Sequence, residues 1–374
     1  MERLGRFGRF GSRTIGIDID RAAIKAVQIS GAGGGAVLQH VGYHRLPPGA
    51  VAEGEVVDHD LLAAEIREFW DTHSFRGRSV ILGICNQKVV VRLLDFPRMD
   101  PEDLKGAIGF EAQDHIPMPL DDAVLDYVVL GPPEEASDHD RVLVVAAQRE
   151  MIGTYTSALR AGGLRPAGVD VKALSLVRSI LPDPFFGESG AVLLLDVGAE
   201  ISNLVIADGG RPLLTRFIPG GVMDLVASVA EAADLPADEA EKQALGGRVG
   251  LGRDDGEPEE DPGSAEEDID PALVYDVRRG LENAIQALAE SVQSSLDHHH
   301  SQSGTREVSR ALVSGEGALI PGLDGYLGEL LDVATGPGNP LGRLSANRSN
   351  VSDEQLRAME PVLAVSFGLA LEDE

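Results

Sequence analysis

AVLLLDVGAEISNLVIADGGRPLLTRFI, residues 191–218, reads as three short strands folded back on one another. Leu193, Leu195 and Val197 fall on one strand face and Asp196 on the other. A tight turn follows the aspartate, then a returning strand, a Gly-rich turn (ADGG) and a third strand. The same pattern stands near the start of the chain, in RTIGIDIDRAAIKAVQISGAGGGAVLQHVGYHRL, residues 13–46, where Ile15, Ile17 and Ile19 alternate against Asp18. One such meander is an ordinary hairpin unit. Two of them, each with an acidic first bend, imply a duplicated architecture whose acidic turns face each other across a cleft.

The chain has 374 residues, enough for two cores, since single cores rarely outgrow about 250 to 300 residues. Hydrophobic content of 43% with 25% charged residues describes a soluble globular protein, without an apolar run of the roughly 18 residues a membrane span needs. The N-terminus carries Arg3, Arg6, Arg9 and Arg13 but no apolar signal region, so the cytoplasm is the expected compartment. A single cysteine, Cys85, excludes internal disulfides and reads as a small buried residue. With 32 basic and 61 acidic residues the net charge is −29, which argues against nucleic acid as a partner. Residues 254–270, DDGEPEEDPGSAEEDID, hold ten carboxylates and no basic residue, and read as a solvated, disordered loop.

Between the meanders, DHDLLAAEIREFWDTH predicts a helix with Asp58 or Asp60 as its cap, and SVILGI a strand. Residues 85–164 then change character: strand KVVVRLLDF, helix DPEDLKGAIGFEAQDHI, two more strands and the helix REMIGTYTSALRAGGL suggest an inserted α+β module. The first lobe takes residues 13–84, 165–190 and 353–374; the second takes 191–230 and 300–352. Residues 231–299 form a helical annex of the second lobe, with the acidic loop at 252–270 and a long amphipathic helix from Pro271 to about Asp297. The closing EQLRAMEPVLAVSFGLAL predicts one apolar helix. His298, His299 and His300 end the long helix and read as its solvated terminus in preference to a metal site.

Gly-rich turns between strand and helix expose backbone N–H groups that cradle phosphate. Three segments qualify: Asp18–Arg21, Asp196–Glu200 and Ser314–Gly317. Asp18 and Asp196 also suit plain strand-end turns. As a pair in repeated meanders they predict a Mg²⁺ ion held through water, with Lys25 reaching a β- or γ-phosphate.

GIDIDRAAIKAVQIS, LLLDVGAEISNLVIADGGRPLLTRFIPGG, ALVSGEGALIPGLDGYLGELL and PVLAVSFGLAL resemble, in order and spacing, the actin-like ATPase superfamily. Within it, and with IGFEAQDHIPMPLDDAVLDY in the inserted module, the chain looks most like the type IV pilus assembly PilM family, relatives of the cell-division protein FtsA. The resemblance spans about Thr14 to Leu371 and implies a two-lobed α/β fold of duplicated ribonuclease-H-like lobes, binding ATP with Mg²⁺. It makes Asp18, Asp20, Arg21 and Lys25 the first phosphate loop, and Asp196, Gly198, Ala199, Glu200, Ser202 and Asn203 the second. Gly220 and Gly221 line the cleft; Gly315, Glu316 and Gly317 contact adenosine; Glu241 and Lys242 approach the ribose and base.

Three residues depart from that family's pattern. Asp20 and Glu316 stand where small residues or glycine are usual, and Lys172 stands where a carboxylate or amide commonly orients the attacking water, with Asp170 as the acidic candidate nearby. A cationic lysine is a poor general base at neutral pH, so slow or absent hydrolysis is expected. The resemblance implies as partners the N-terminal cytoplasmic peptide of a PilN-like inner-membrane protein and the pilus assembly ATPases, with the chain peripheral to the membrane through its partner. The alternatives are a small-molecule kinase on the same fold and an FtsA-like filament former.

Overall fold

The computed structural model describes residues 15–31, 35–132, 137–181, 190–246, 249–251, 270–302 and 305–371. The N-terminal arginines, the middle of the GAGGG turn and the acidic loop up to residue 269 lie outside the described residues.

Strands β1 (Ile15–Ile19), β2 (Ala23–Ser30) and β3 (Ala36–Arg45) form the first antiparallel meander. A small hairpin, β4 (Val51–Ala52) and β5 (Glu55–Val56), leads to helix α1 (His59–His73). The Asp58 carboxylate accepts from Leu61 N and caps α1, so one of the two expected candidates does that work. β6 (Ser79–Ile84) then runs parallel to β1.

β7 (Val89–Pro97), helix α2 (Pro101–His115), β8 (Ala123–Gly131) and β9 (His139–Gln148) build a separate three-stranded sheet in the order β7-β9-β8. Pro101 opens α2, and the helix stops before Ile116-Pro117, as the missing proline N–H requires. Leu104, Ile108 and Ala112 of α2 pack onto Val142, Val144 and Ala146 of β9, which gives this module its own small core.

Helix α3 (Arg149–Ala161) does not stay with the module, to whose range its residues were expected to belong. Met151, Ile152, Tyr155, Ala158 and Leu159 are buried, and the helix packs on α1 and on β10 (Arg165–Val171), so it covers the first sheet. β10 adds parallel to β6, and helix α4 (Lys172–Ile180) follows at once.

The second meander is β11 (Ala191–Val197), β12 (Ile201–Asp208) and β13 (Arg211–Pro219). Helices α5 (Val222–Ala233), α6 (Ala237–Leu245) and α7 (Pro271–His300) pack together beside it. Val277, Leu281, Ile285 and Val292 of α7 are fully buried, the apolar stripe seen in the sequence. His299 is buried with Nε2 2.9 Å from Arg306 O, a correction to the solvated reading of this histidine; His298 and His300 are exposed. β14 (Val308–Ser314) runs parallel to β11, then come helix α8 (Leu323–Leu331) and β15 (Thr335–Pro337).

β16 (Leu344–Asn347) pairs parallel with β3, which puts it in the first sheet and not in the second lobe where residues 300–352 were assigned. The C-terminal segment forms two helices, α9 (Asp353–Met359) and α10 (Ala364–Ala370), with a 3₁₀ turn between them, instead of one. Pro361 is the reason: it cannot donate to the helical ladder.

The two main sheets share a five-strand topology, to which the first adds β16 beside β3. The first runs β10-β6-β1-β2-β3-β16 and the second β13-β12-β11-β14-β15, each an antiparallel meander extended by two parallel strands on its first strand. α4 touches strands of both sheets, and α10 packs on α4, β1 and β2, so these two helices seal the floor between the lobes.

Candidate functional site

Each first strand carries its aspartate at the cleft. In the ladder Asp18 lies opposite Lys25 on β2 and beside Gly83 on β6. In the second lobe Asp196 lies opposite Asn203 on β12 and beside Ser314 on β14. Cross-strand neighbours share a face, so these registers decide what each carboxylate meets. Asn203 Nδ2 donates to Asp196 Oδ2 at 3.2 Å, and Ser314 Oγ donates to Asp196 Oδ1 at 3.0 Å.

The first lobe is built on charge. Lys25 Nζ stands 3.3 Å from Asp18 Oδ2, 2.6 Å from Asp20 Oδ2 and 2.6 Å from Glu316 Oε1. Asp20 shapes the turn as well: its Oδ1 accepts from Ala22 N and Ala23 N, leaving Oδ2 for the lysine. Lys172, the first residue of α4, sends its ammonium to 2.5 Å from Asp18 Oδ1 and donates to Ile19 O at 3.2 Å.

Burial alone would raise the Asp18 carboxyl, but the Lys172 and Lys25 ammoniums beside it overcome that and hold it below the usual carboxylate range. Burial likewise opposes charge on Lys25, yet Asp20, Glu316 and Asp18 carry it well above an ordinary lysine, and Asp18 and Asp20 do the same for Lys172. Burial wins at Glu316, pushed up to about 7 despite Lys25, and it also raises Asp196. Glu316 Oε2 is buried without a hydrogen-bond partner, which suits a neutral carboxyl better than a carboxylate.

At the cleft mouth Arg21 Nη1 pairs with Glu200 Oε1 at 2.5 Å, and Glu53 N donates to Glu200 Oε2 at 2.8 Å. Arg45 of β3 pairs with Glu241 of α6 across the opening. Lys242 turns away, toward Asp238 and Glu239 of its own helix. Ser202 is buried and donates to Gly220 O. The first N–H groups of α5 are bonded already: Val222 N to Gly198 O, Met223 N to Ala199 O, and Gly221 N to Asp224 Oδ2. Gly315 and Gly317 press on Val197, where Cβ atoms would come within 2.4 and 2.5 Å of it, so this turn closes tightly on the end of β11.

The resulting cleft is narrow, with a cavity of about 30 Å³. It gathers Asp18, Asp20, Arg21, Lys25, Asp196, Gly198, Ala199, Glu200 and Asn203 of the residues expected from sequence. Tyr155, Gly54, Gly83 and Cys85 join them without having been expected there; Cys85 is no nucleophile, its thiol pushed up to about 12 by burial. Tyr155 sat in the sequence as one apolar helix position among several, so only the packing of α3 could reveal it.

Magnesium-bound triphosphate would have to displace pairs that the cleft residues already make with one another. Both oxygens of Asp18 face ammonium groups, Oδ1 without a hydrogen bond, and both oxygens of Asp196 accept hydrogen bonds, so a metal or its waters would have to share them with these partners. Lys25, Lys172 and Arg21 are each paired with carboxylates. Among the described residues no group of three or more His, Cys, Asp or Glu side chains is placed to hold a metal ion.

A second and roomier depression, about 280 Å³ and open to solvent, lies where the inserted module meets both lobes. Val89 to Arg92 of β7, Val171 and Thr215 to Phe217 of β13 line it. β7 and β13 are the outer strands of their sheets.

The family model for the type IV pilus assembly protein PilM matches residues 16–253 and 277–374. The chain belongs to the PilM family. Its members are type IV pilus assembly proteins, and the inserted module and two duplicated lobes described above are matched along with the cleft. A solved PilM–PilN type IV pilus biogenesis complex is similar at 27% identity and a TM-score of 0.78, covering 96% of this chain and 98% of that one. MreB5 of Spiroplasma citri bound to ADP (12% identity, TM-score 0.52, 96% and 94% covered) shares the fold. So does the ethanolamine utilization protein EutJ from Carboxydothermus hydrogenoformans (12%, 0.51, 99% and 92%). The fold is therefore actin-like, as the resemblance implied. Among the described residues no helix is long and apolar enough to cross a membrane.

Proposed function

We propose that this PilM-family chain is an assembly scaffold of a type IV pilus or a related secretion machine, and that it works by holding a short peptide of an inner-membrane partner. The partner is a PilN-like protein, engaged through its N-terminal cytoplasmic segment, which keeps the chain at the inner face of the membrane; pilus assembly ATPases are further partners. The observation that carries this reading is the depression flanked by two outer strands, β7 and β13. An extended peptide gains main-chain hydrogen bonds from an unpaired strand edge and specificity from the side chains beneath it. Val89, Val91 and Phe217 offer apolar anchorage, and Arg92 and Arg216 at its rim favour a peptide with acidic residues.

ATP with Mg²⁺, the ligand expected from resemblance, would meet a Lys25 already paired with Asp20 and Glu316, and this reading gives the peptide and not the nucleotide the central role. Hydrolysis is given no part. Lys172 is held protonated by Asp18, and Asp170 is paired with Arg178, so neither is a free base for water.

Fluorescence anisotropy with a labelled N-terminal peptide of a PilN-type partner tests the reading. Val91→Glu and Phe217→Ala are expected to weaken binding by about tenfold or more, as loss of a buried anchor does. Undiminished binding by both variants would place the peptide elsewhere.

A further inference from the structure

We infer that the interlobe cleft is set by the chain's own side chains, with the Lys172 ammonium in the place of a divalent cation and the Asp20 and Glu316 carboxylates in the place of phosphate oxygens. The duplication shows how this came about. Asp18 and Asp196 hold equivalent positions, as do Lys25 and Asn203, and Gly83 and Ser314. In the second lobe the residue beside the aspartate is a serine whose hydroxyl satisfies it. In the first lobe it is Gly83, and a Cβ there would stand 3.2 Å from Lys172 Cγ. The missing side chain opens the path by which Lys172 reaches Asp18, at 2.5 Å.

Lys25 completes the substitution. Its ammonium, on the first lobe, meets Asp20 from its own turn and Glu316 from the second lobe, each at 2.6 Å. Those two residues and Lys172 are the three that depart from the expected family pattern, and all three belong to this single network. Buried charge is tolerated only when paired, so the network ties the lobes together without a ligand. The cleft residues Asp18, Asp20, Asp196 and Glu200 face Lys25, Lys172 and Arg21, four carboxyl groups to three cations, so a triphosphate would add to an acidic site. Closure of this cleft is accordingly independent of nucleotide and of magnesium.

Calorimetric titration of ATP with Mg²⁺, and of Mg²⁺ alone, into the full chain and into Asp20→Asn/Glu316→Gln and Lys172→Ala tests this, with small-angle X-ray scattering of the wild type in both conditions. The wild type is expected to give no binding heat and an unchanged scattering profile. The double variant, with Lys25 released, is expected to bind ATP about tenfold or more tightly than the wild type. Lys172→Ala, which frees Asp18 Oδ1, is expected to make ATP binding depend on Mg²⁺, a split that a purely structural lysine would not produce. Wild-type binding as tight as that of the double variant, or contraction of the wild type on adding ATP with Mg²⁺, overturns the inference. The wild-type arm decides even where a variant fails to fold.

Discussion

Lys25 Nζ and Glu316 Oε1 stand 2.6 Å apart across 291 residues of sequence, one on the first lobe and the other on the second, and both side chains are buried. A pair so placed makes the cleft one electrostatic unit: whatever alters either residue alters the contact between lobes.

Removing the lysine is therefore expected to be severe. Lys25→Met leaves Asp18, Asp20 and Glu316 around an apolar side chain, and losing one partner of a buried pair costs about 3–5 kcal/mol. Chemical denaturation measures this. Lys25→Met/Glu316→Gln is expected to lose less than the sum of the single changes, because the two residues are direct partners and the second substitution removes a group whose partner the first already took away.

Glu316 also gives the stability a pH dependence of predictable sign. Its folded pKa is raised from 4.5 to about 7, so its contribution is fully present below the ordinary glutamate range and is lost as pH rises toward about 7. Glu316→Gln is neutral at every pH. The melting temperature of Glu316→Gln minus that of the wild type is thus expected to grow between about pH 5 and pH 8, and to level off above the raised pKa. A difference that stays flat over this range would show that burial does not hold the proton on Glu316.

Gly315 sits at φ +85°, and a Cβ there would lie 2.4 Å from Val197 O. Gly315→Ala is expected to destabilise by about 1–3 kcal/mol or more, from strain and overpacking together. It also displaces Glu316, so Lys25 loses its one partner from the second lobe. Denaturation curves should show the loss with little change in the slope, since no core is opened.

Arg45 and Glu241 bridge the same cleft at its rim, with 68% and 37% of their side chains exposed. Exposed pairs are worth about 0–1 kcal/mol. Arg45→Ala should therefore lower the melting temperature by no more than a degree or two for a chain of this size, a contrast with Lys25→Met that separates burial from mere ion-pair geometry.

Much of the site was legible because it sits on period-two strands with turn residues at fixed offsets. Asp18, Lys25, Asp196 and Asn203 are read from the meanders, and the structure brings them to one cleft. Lys242 shows the limit: its helix reaches the cleft mouth through Glu241, while the lysine faces its own helix, a matter of helical phase that composition does not disclose. α3 was joined to the module because it follows β9 directly, but its apolar face matches α1 and β10, and burial area decides such a choice over chain proximity.

The sequence alone determined the two meanders, the inserted module, the long helix and the order of all of these, because strand alternation, helical spacing and Gly or Pro punctuation are local and leave a periodic trace. Tertiary structure decided who meets whom: Lys172 with Asp18 and Ile19, Lys25 with Glu316, β16 with β3, and the outer strands β7 and β13 on one depression. Those contacts arise from packing two lobes and an insertion against each other. Residues 153 and 291 positions apart leave no mark in any local window, so only the folded chain sets the charge of the cleft.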